Sequence, residues 1–107
     1  VAAFKVLSQI GVYCMTKAAV VHMTRAQASE WGRYGINVNA ICPGYIRTEI
    51  NQDHWDTEQG QKLLAMLPRK RLGTPADLDS LLLMLVAEES QFINGAIITA
   101  DDGLSVA

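Results

Sequence analysis

Apolar and polar positions change period several times along the chain. Val1 to Leu7 is apolar apart from Lys5 and reads as the end of a strand or a loop leaving one. Ser8, Gln9 and Gly11 then mark irregular structure. From Val12 to Trp31 the pattern is helical, with small and apolar side chains around several turns and a stripe at Ala19, Met23, Ala26 and Trp31. Gly32 and Gly35 suit the end of that helix. Ile36 to Cys42 alternates Ile36, Val38 and Ala40 with Asn37 and Asn39, which predicts a strand closed by Pro43-Gly44.

Residues 45–73 are less regular. Asn51 to Gly60 is polar around Trp55, and Lys62 to Leu67 predicts a short helix ended by Pro68. The next helix, over 75–88, has Thr74 as its N-cap, Pro75 at its first position and Asp77 near the positive end of its dipole. Leu78, Leu81, Leu82 and Leu85 form its apolar face, widened by Leu83, Met84 and Val86, which implies cover on more than one side. Asn94-Gly95 makes a turn, and Ala96 to Ala100 is a last strand. This alternation of helices and strands points to an α/β sheet. Two strands are marginal by themselves.

Composition narrows the picture without naming a chemistry. The 107 residues suggest one domain, half of them hydrophobic, with a net charge of −2. No basic face invites nucleic acid, and Arg69, Lys70 and Arg71 form only an isolated cluster. The longest apolar run, Leu81 to Ala87, is far short of the roughly 18 residues that suggest a membrane span, so no membrane is expected. No signal peptide is visible at the first residues. Cys14 and Cys42 make no disulfide framework and read as small buried side chains in a reducing cytoplasm. His22 and His54 are far apart and no metal-ligand spacing occurs, so no metal is expected.

Tyr13 and Lys17 are four apart on the first helix, so both project from one face. An ammonium one turn away favours the phenolate, which suits a tyrosine to proton transfer. The same spacing also arises as an ordinary surface pair.

The order of motifs decides between these readings. Tyr13-Cys14-Met15-Thr16-Lys17-Ala18-Ala19 precedes Gly35-Ile36-Asn37-Val38-Asn39-Ala40-Ile41-Cys42-Pro43-Gly44, with Ile46 and Thr48 following. Gly73-Thr74-Pro75 with Asp77, Ile93-Asn94-Gly95 and Asp101 complete the series. Over essentially its whole length the chain resembles the carboxyl-terminal half of classical short-chain dehydrogenases/reductases. The resemblance implies a Rossmann-like, doubly wound parallel sheet of which only the carboxyl-terminal part is present. It implies an oxidoreductase that uses NAD or NADP on a small carbonyl or alcohol substrate, a 3-oxoacyl thioester being one candidate. Tyr13 would transfer the proton, Lys17 would hydrogen-bond the nicotinamide ribose, and both would touch the cofactor. Pro43 and Gly44 would shape the loop beside the nicotinamide, at the strand ends where open α/β sheets bind ligands. The Ile46 backbone and the Thr48 hydroxyl would meet the carboxamide or the phosphates, while Thr48 also reads as a cap for the segment after it.

Residues 49–70 would be the substrate lid, with Trp55, Leu63, Leu64 and Met66 facing an apolar substrate or simply packing a short helix. His54 reads as a surface residue and Arg71 as structural. Asp102 stands where the family usually has glycine, which puts the local turn and any nearby subunit contact in question. The family's serine lies thirteen residues before its tyrosine, one position before Val1, and Ser8 is too close to Tyr13 to replace it. The glycine-rich turn and the asparagine of the proton relay are likewise not found here. The expectation is a part of a longer polypeptide, or a chain completed by others, cytoplasmic and a homodimer or homotetramer when whole. A different reading is a catalytically incomplete fragment with a structural or partner-binding role.

Overall fold

Residues 11–107 are described in the computed structural model. The readings of residues 1–10, including irregular structure at Ser8 and Gln9, lie outside the described residues. Gly11, grouped with them from the sequence, is instead the first residue of helix α1, Gly11–Trp31.

Helix α1 buries Cys14, Val21, Thr24 and Ala28, which helical spacing keeps on one face. The stripe expected at Ala19, Met23, Ala26 and Trp31 is exposed. Small apolar residues surround this helix, so period alone does not choose its inward face. Contact chooses it. Asn94 Nδ2 donates to the Ala28 carbonyl at 3.2 Å, and a Cβ on Gly95 would lie 3.4 Å from that of Ala28. Thr24 tolerates burial because its hydroxyl donates to the Val20 carbonyl at 2.9 Å. A short 3₁₀ turn, Gly32–Tyr34, ends on Gly35 in the left-handed region, as the glycines predict.

The strand expected over 36–42 is observed as β1, Ala40–Pro43, and the last strand as β2, Ile97–Ala100. Upstream of β1, asparagine side chains interrupt the regular ladder, although Gly95 N still donates to Val38 O at 2.9 Å. Asn37 Nδ2 donates to Gln91 O at 2.8 Å, and Asn39 Nδ2 donates to Ile93 O at 3.0 Å. Asn94 Oδ1 accepts from Val38 N at 2.8 Å, and Asn39 Oδ1 accepts from Ala96 N at 2.9 Å. That last bond takes the Ala96 N–H, so β2 begins one residue later than expected. The strands pair in parallel, from Ala40 opposite Ile97 to Pro43 opposite Ala100. Their carboxyl ends lie side by side, and the connection between them carries the remaining helices.

The first of these are α2, Gln52–Trp55, and α3, Glu58–Met66, where a single helix over 62–67 was expected. Thr57 starts α3 early, since its hydroxyl accepts from Gly60 N at 3.1 Å. Gly60 lets the two helices touch, because a Cβ there would lie 2.8 Å from Trp55 Cα. The helix expected over 75–88 begins as a 3₁₀ turn, Pro75–Leu78, and continues as α4, Asp79–Val86. Ala87 turns to extended backbone and ends it, before another 3₁₀ turn at Glu88–Ser90. Asp77 Oδ2 accepts from Thr74 N at 2.7 Å, so the start signal is real. Leu78, Leu81 and Leu85 are half-buried, and Leu82, Leu83, Met84 and Val86 are exposed in this chain. Among the described residues no helix is long and apolar enough to cross a membrane, and no group of His, Cys, Asp or Glu is placed to hold a metal ion.

Candidate active site

Tyr13 and Lys17 stand on the first two turns of α1. Tyr13 is 51% exposed, and Lys17 Nζ lies over its ring, 5.2 Å from the centroid. Their four-residue spacing stacks the two side chains, and an ammonium over a phenol ring is electrostatically attractive.

The second cluster forms where β1 and β2 end. Pro43 closes β1, a strand end where its missing N–H is tolerated. Gly44 N donates to Ala100 O at 3.0 Å. A Cβ on Gly44 would lie 2.8 Å from Asp101 Cα, so the two loops meet at backbone distance only because this residue is glycine. Ile46 forms an isolated parallel bridge with Gly73, in which Gly73 N donates to Tyr45 O at 2.9 Å and Arg47 N to Gly73 O at 2.8 Å. Asn51 closes the loop from the other side. Its Nδ2 donates to Ile46 O at 2.9 Å, and its Oδ1 accepts from Thr48 N at 2.8 Å. Among the described residues the Ile46 N–H donates no hydrogen bond. The Thr48 side chain is exposed. The reading of Thr48 as a helix cap does not hold, because Asn51 occupies the position before α2.

A cavity of about 320 Å³ opens beside this loop, walled among others by Gly44, Tyr45, Ile46, Arg71, Asp101 and Asp102. Tyr13, Lys17, Pro43 and Thr48 do not line it. The structure therefore gathers Gly44 and Ile46 on one wall and holds Tyr13 and Lys17 as a pair on α1.

Two carboxylates fix the rim. Burial by itself would raise the pKa of Asp101, but bonds from Ser105 and from the Gly103 N–H outweigh it and hold the group below its ordinary value. The Thr74 N–H does most to lower Asp77, with the Arg71 charge and further hydrogen bonds adding to it against desolvation. Arg71, expected to be structural, reaches both Asp77 at 3.6 Å and Asp102 at 3.3 Å.

In the segment above, Trp55 is only 3% exposed and packs edge-on against Tyr45, with ring centroids 5.5 Å apart. Packing, not a substrate-facing position, is its place here. Leu63 and Leu64 are half-buried, while Met66 and His54 are exposed. Sequence reasoning missed Asn51 and Tyr45. An asparagine three residues after Thr48 was the available sign of a side chain bonding back to its own loop.

Comparison with known proteins bears on this geometry. Residues 1–105 match the family model described as enoyl-(acyl carrier protein) reductase. The chain is 37% identical over 94 residues to an NAD-dependent glycerol dehydrogenase of Listeria innocua, covering 88% of this chain and 37% of that protein. It is 34% identical to the 3-oxoacyl-[acyl-carrier-protein] reductase MabA of Mycobacterium bovis, covering 88% of this chain and 38% of the relative. Its fold superposes with a TM-score of 0.89 and 32% identity on a gluconate 5-dehydrogenase from Burkholderia cenocepacia solved with NADP and tartrate, covering 99% of this chain and 42% of the other. The chain thus spans less than half the length of these relatives. Its parallel strands and crossover helices are part of a Rossmann-type α/β fold, and the chain belongs to the short-chain dehydrogenase/reductase family.

Proposed function

We propose that the complete polypeptide is an NAD- or NADP-dependent oxidoreductase that moves a hydride between the nicotinamide and a ketone or secondary alcohol. This chain supplies the proton-transfer pair and the nicotinamide end of the site. The observation that carries the reading is the Tyr13–Lys17 arrangement, a solvent-reachable phenol with an ammonium 5.2 Å from its ring centroid.

When bound, the nicotinamide donates or accepts the hydride. The Tyr13 hydroxyl gives its proton to the carbonyl oxygen in reduction, becoming the phenolate, and the phenolate takes the alcohol proton in oxidation. Lys17 provides positive charge beside the phenol and a donor for the ribose. The loop after β1 fits the carboxamide end of such a cofactor, with the Ile46 N–H as donor and the exposed Thr48 side chain beside it. Pro43 and Gly44 set the path of that loop, and Gly44 keeps it against Asp101. Residues 49–70 form the lid over the substrate.

A glycerol dehydrogenase and a 3-oxoacyl reductase stand at similar identity, 37% and 34%, so the substrate reading stays at ketone or secondary alcohol. The test is to titrate the complete polypeptide with NADH and NADPH, following nicotinamide fluorescence. Turnover is then assayed by nicotinamide absorbance against small polyols and a 3-oxoacyl thioester. Saturable binding of one dinucleotide and turnover of one substrate class are expected. Failure to bind either dinucleotide rejects the reading and leaves the non-catalytic one.

A further inference from the structure

The turn after β2 divides its work between two neighbouring aspartates. Asp101 stabilises the turn itself, accepting from Gly103 N at 3.1 Å and from Ser105 N at 2.8 Å. Asp102 makes no such local bond. Its Oδ1 lies 3.2 Å from Arg69 Nε and its Oδ2 lies 3.3 Å from Arg71 Nε. Both oxygens therefore face arginines that follow α3 and Pro68. Arg71 continues to Asp77 at 3.6 Å, so three segments meet in one ionic cluster beside the cavity.

The backbone makes this arrangement harder to dismiss as chance surface pairing. Asp102 sits at φ 56°, in the left-handed region where glycine is unstrained and a residue with a Cβ is not. Glycine would serve the turn better. What aspartate adds is a carboxylate, and that carboxylate is used entirely on Arg69 and Arg71.

The geometry points to Asp102 as a lid-positioning residue, an ionic latch that fastens the end of the segment 49–70 to the turn after β2 through Arg69 and Arg71. Its kinetic consequence rests on the function proposed above; the latch itself does not. The side chains of Arg69, Arg71 and Asp102 are 74%, 52% and 28% exposed, so the latch is open to screening by salt.

The test uses the complete polypeptide with Asp102→Asn, which removes the charge and keeps a side chain of the same size in the same backbone conformation. At low salt, amide exchange over residues 67–71 is expected to rise about fivefold, the shift two exposed pairs acting together can supply. KM is expected to rise in step with unchanged kcat, since the lid binds substrate and transfers no proton. In the parent, added salt should move both readouts toward the variant; in the variant, salt should leave them still. Asp102→Gly, free of backbone strain, guards against a folding artefact and should give the same exchange result. Parent-like exchange at low salt in both variants overturns the latch, whatever the turnover. Faster exchange in a protein that turns over nothing leaves the latch standing and counts against the proposed function alone.

Discussion

The exposed end of α1 and the loop after β1 carry different kinds of information. At the first, Tyr13 and Lys17 are chemically conspicuous side chains on a solvent-facing helix, and their mutual placement needs only helical spacing. At the second, the residues have almost no reactivity, yet neighbours set their positions from several sides. Gly44 is held at Asp101, Ile46 at Gly73, and Thr48 through Asn51. The first region states which bonds can be made; the second states where a ligand would have to lie. A tyrosine and a lysine four apart mean little until a loop of fixed shape accompanies them.

The sharpest way to break that division is to remove one reactive atom. Tyr13→Phe in the complete polypeptide deletes the phenolic oxygen and keeps the ring on which Lys17 rests. Turnover should fall by about 10²–10⁴-fold, the usual contribution of a positioned proton donor. Dinucleotide affinity, titrated by fluorescence, should change little, because the loop after β1 is untouched. A variant that keeps most of its turnover removes Tyr13 from the chemistry; one that loses binding as well shows that the two regions are not separable.

The converse substitution tests shape without chemistry. Gly44→Ala sets a methyl 2.8 Å from Asp101 Cα, a backbone atom that can yield only if a whole turn moves. A destabilisation of about 1–3 kcal/mol is expected from denaturant melts. Gly73→Ala meets Ile46 Cδ1 at 2.6 Å, but that atom ends a flexible side chain and can rotate away. The Gly73 variant should therefore be the milder of the two. Equal losses would show that the Gly44–Asp101 approach is no tighter than an ordinary side-chain contact.

How much of this could be read from the residues depends on how local each cause is. The helix ending at Trp31, the left-handed bend at Gly95 and the Thr74–Asp77 start signal rest on neighbours a few positions apart, and all are found. The stripe at Ala19, Met23, Ala26 and Trp31 is legible in the sequence and exposed in this chain, while the face that the chain buries is chosen by distant Asn94 and Gly95. The strand expected over 36–42 is observed only at Ala40–Pro43 for a related reason. Asn37 and Asn39 alternate as a strand should, yet their amides reach residues more than fifty positions away and displace the ladder. Trp55 was open to two readings in sequence, and only the contact with Tyr45 chooses between them. In the candidate site, the stacking of Tyr13 and Lys17 was legible from spacing and the role proposed for them only from the order of motifs, whereas the bracing by Asn51 is visible only in the structure.

The smallest predicted effect separates the two rim carboxylates from the reactive pair. Asp77 and Asp101 both titrate below the ordinary value of 3.8, because backbone and side-chain donors favour their charged forms. A carboxylate with a depressed folded-state pKa contributes stability that is fully present above its unfolded value. That stability is lost as pH falls through the folded value. The parent should thus show a shallow loss of stability beginning as pH drops toward 3.8 and continuing below it. Asp101→Asn weakens the acceptor for the N–H groups of Gly103 and Ser105, so it should be less stable than the parent at neutral pH. The gap should close as acid protonates Asp101 in the parent. Asp77→Asn should follow the same course with a smaller gap, since that carboxylate is exposed and its ion pair with Arg71 is screened. Denaturant midpoints across the acid limb decide it. A gap that stays constant through the acid range would mean that Asp101 holds its turn by shape alone, and that the loop facing Gly44 owes nothing to charge.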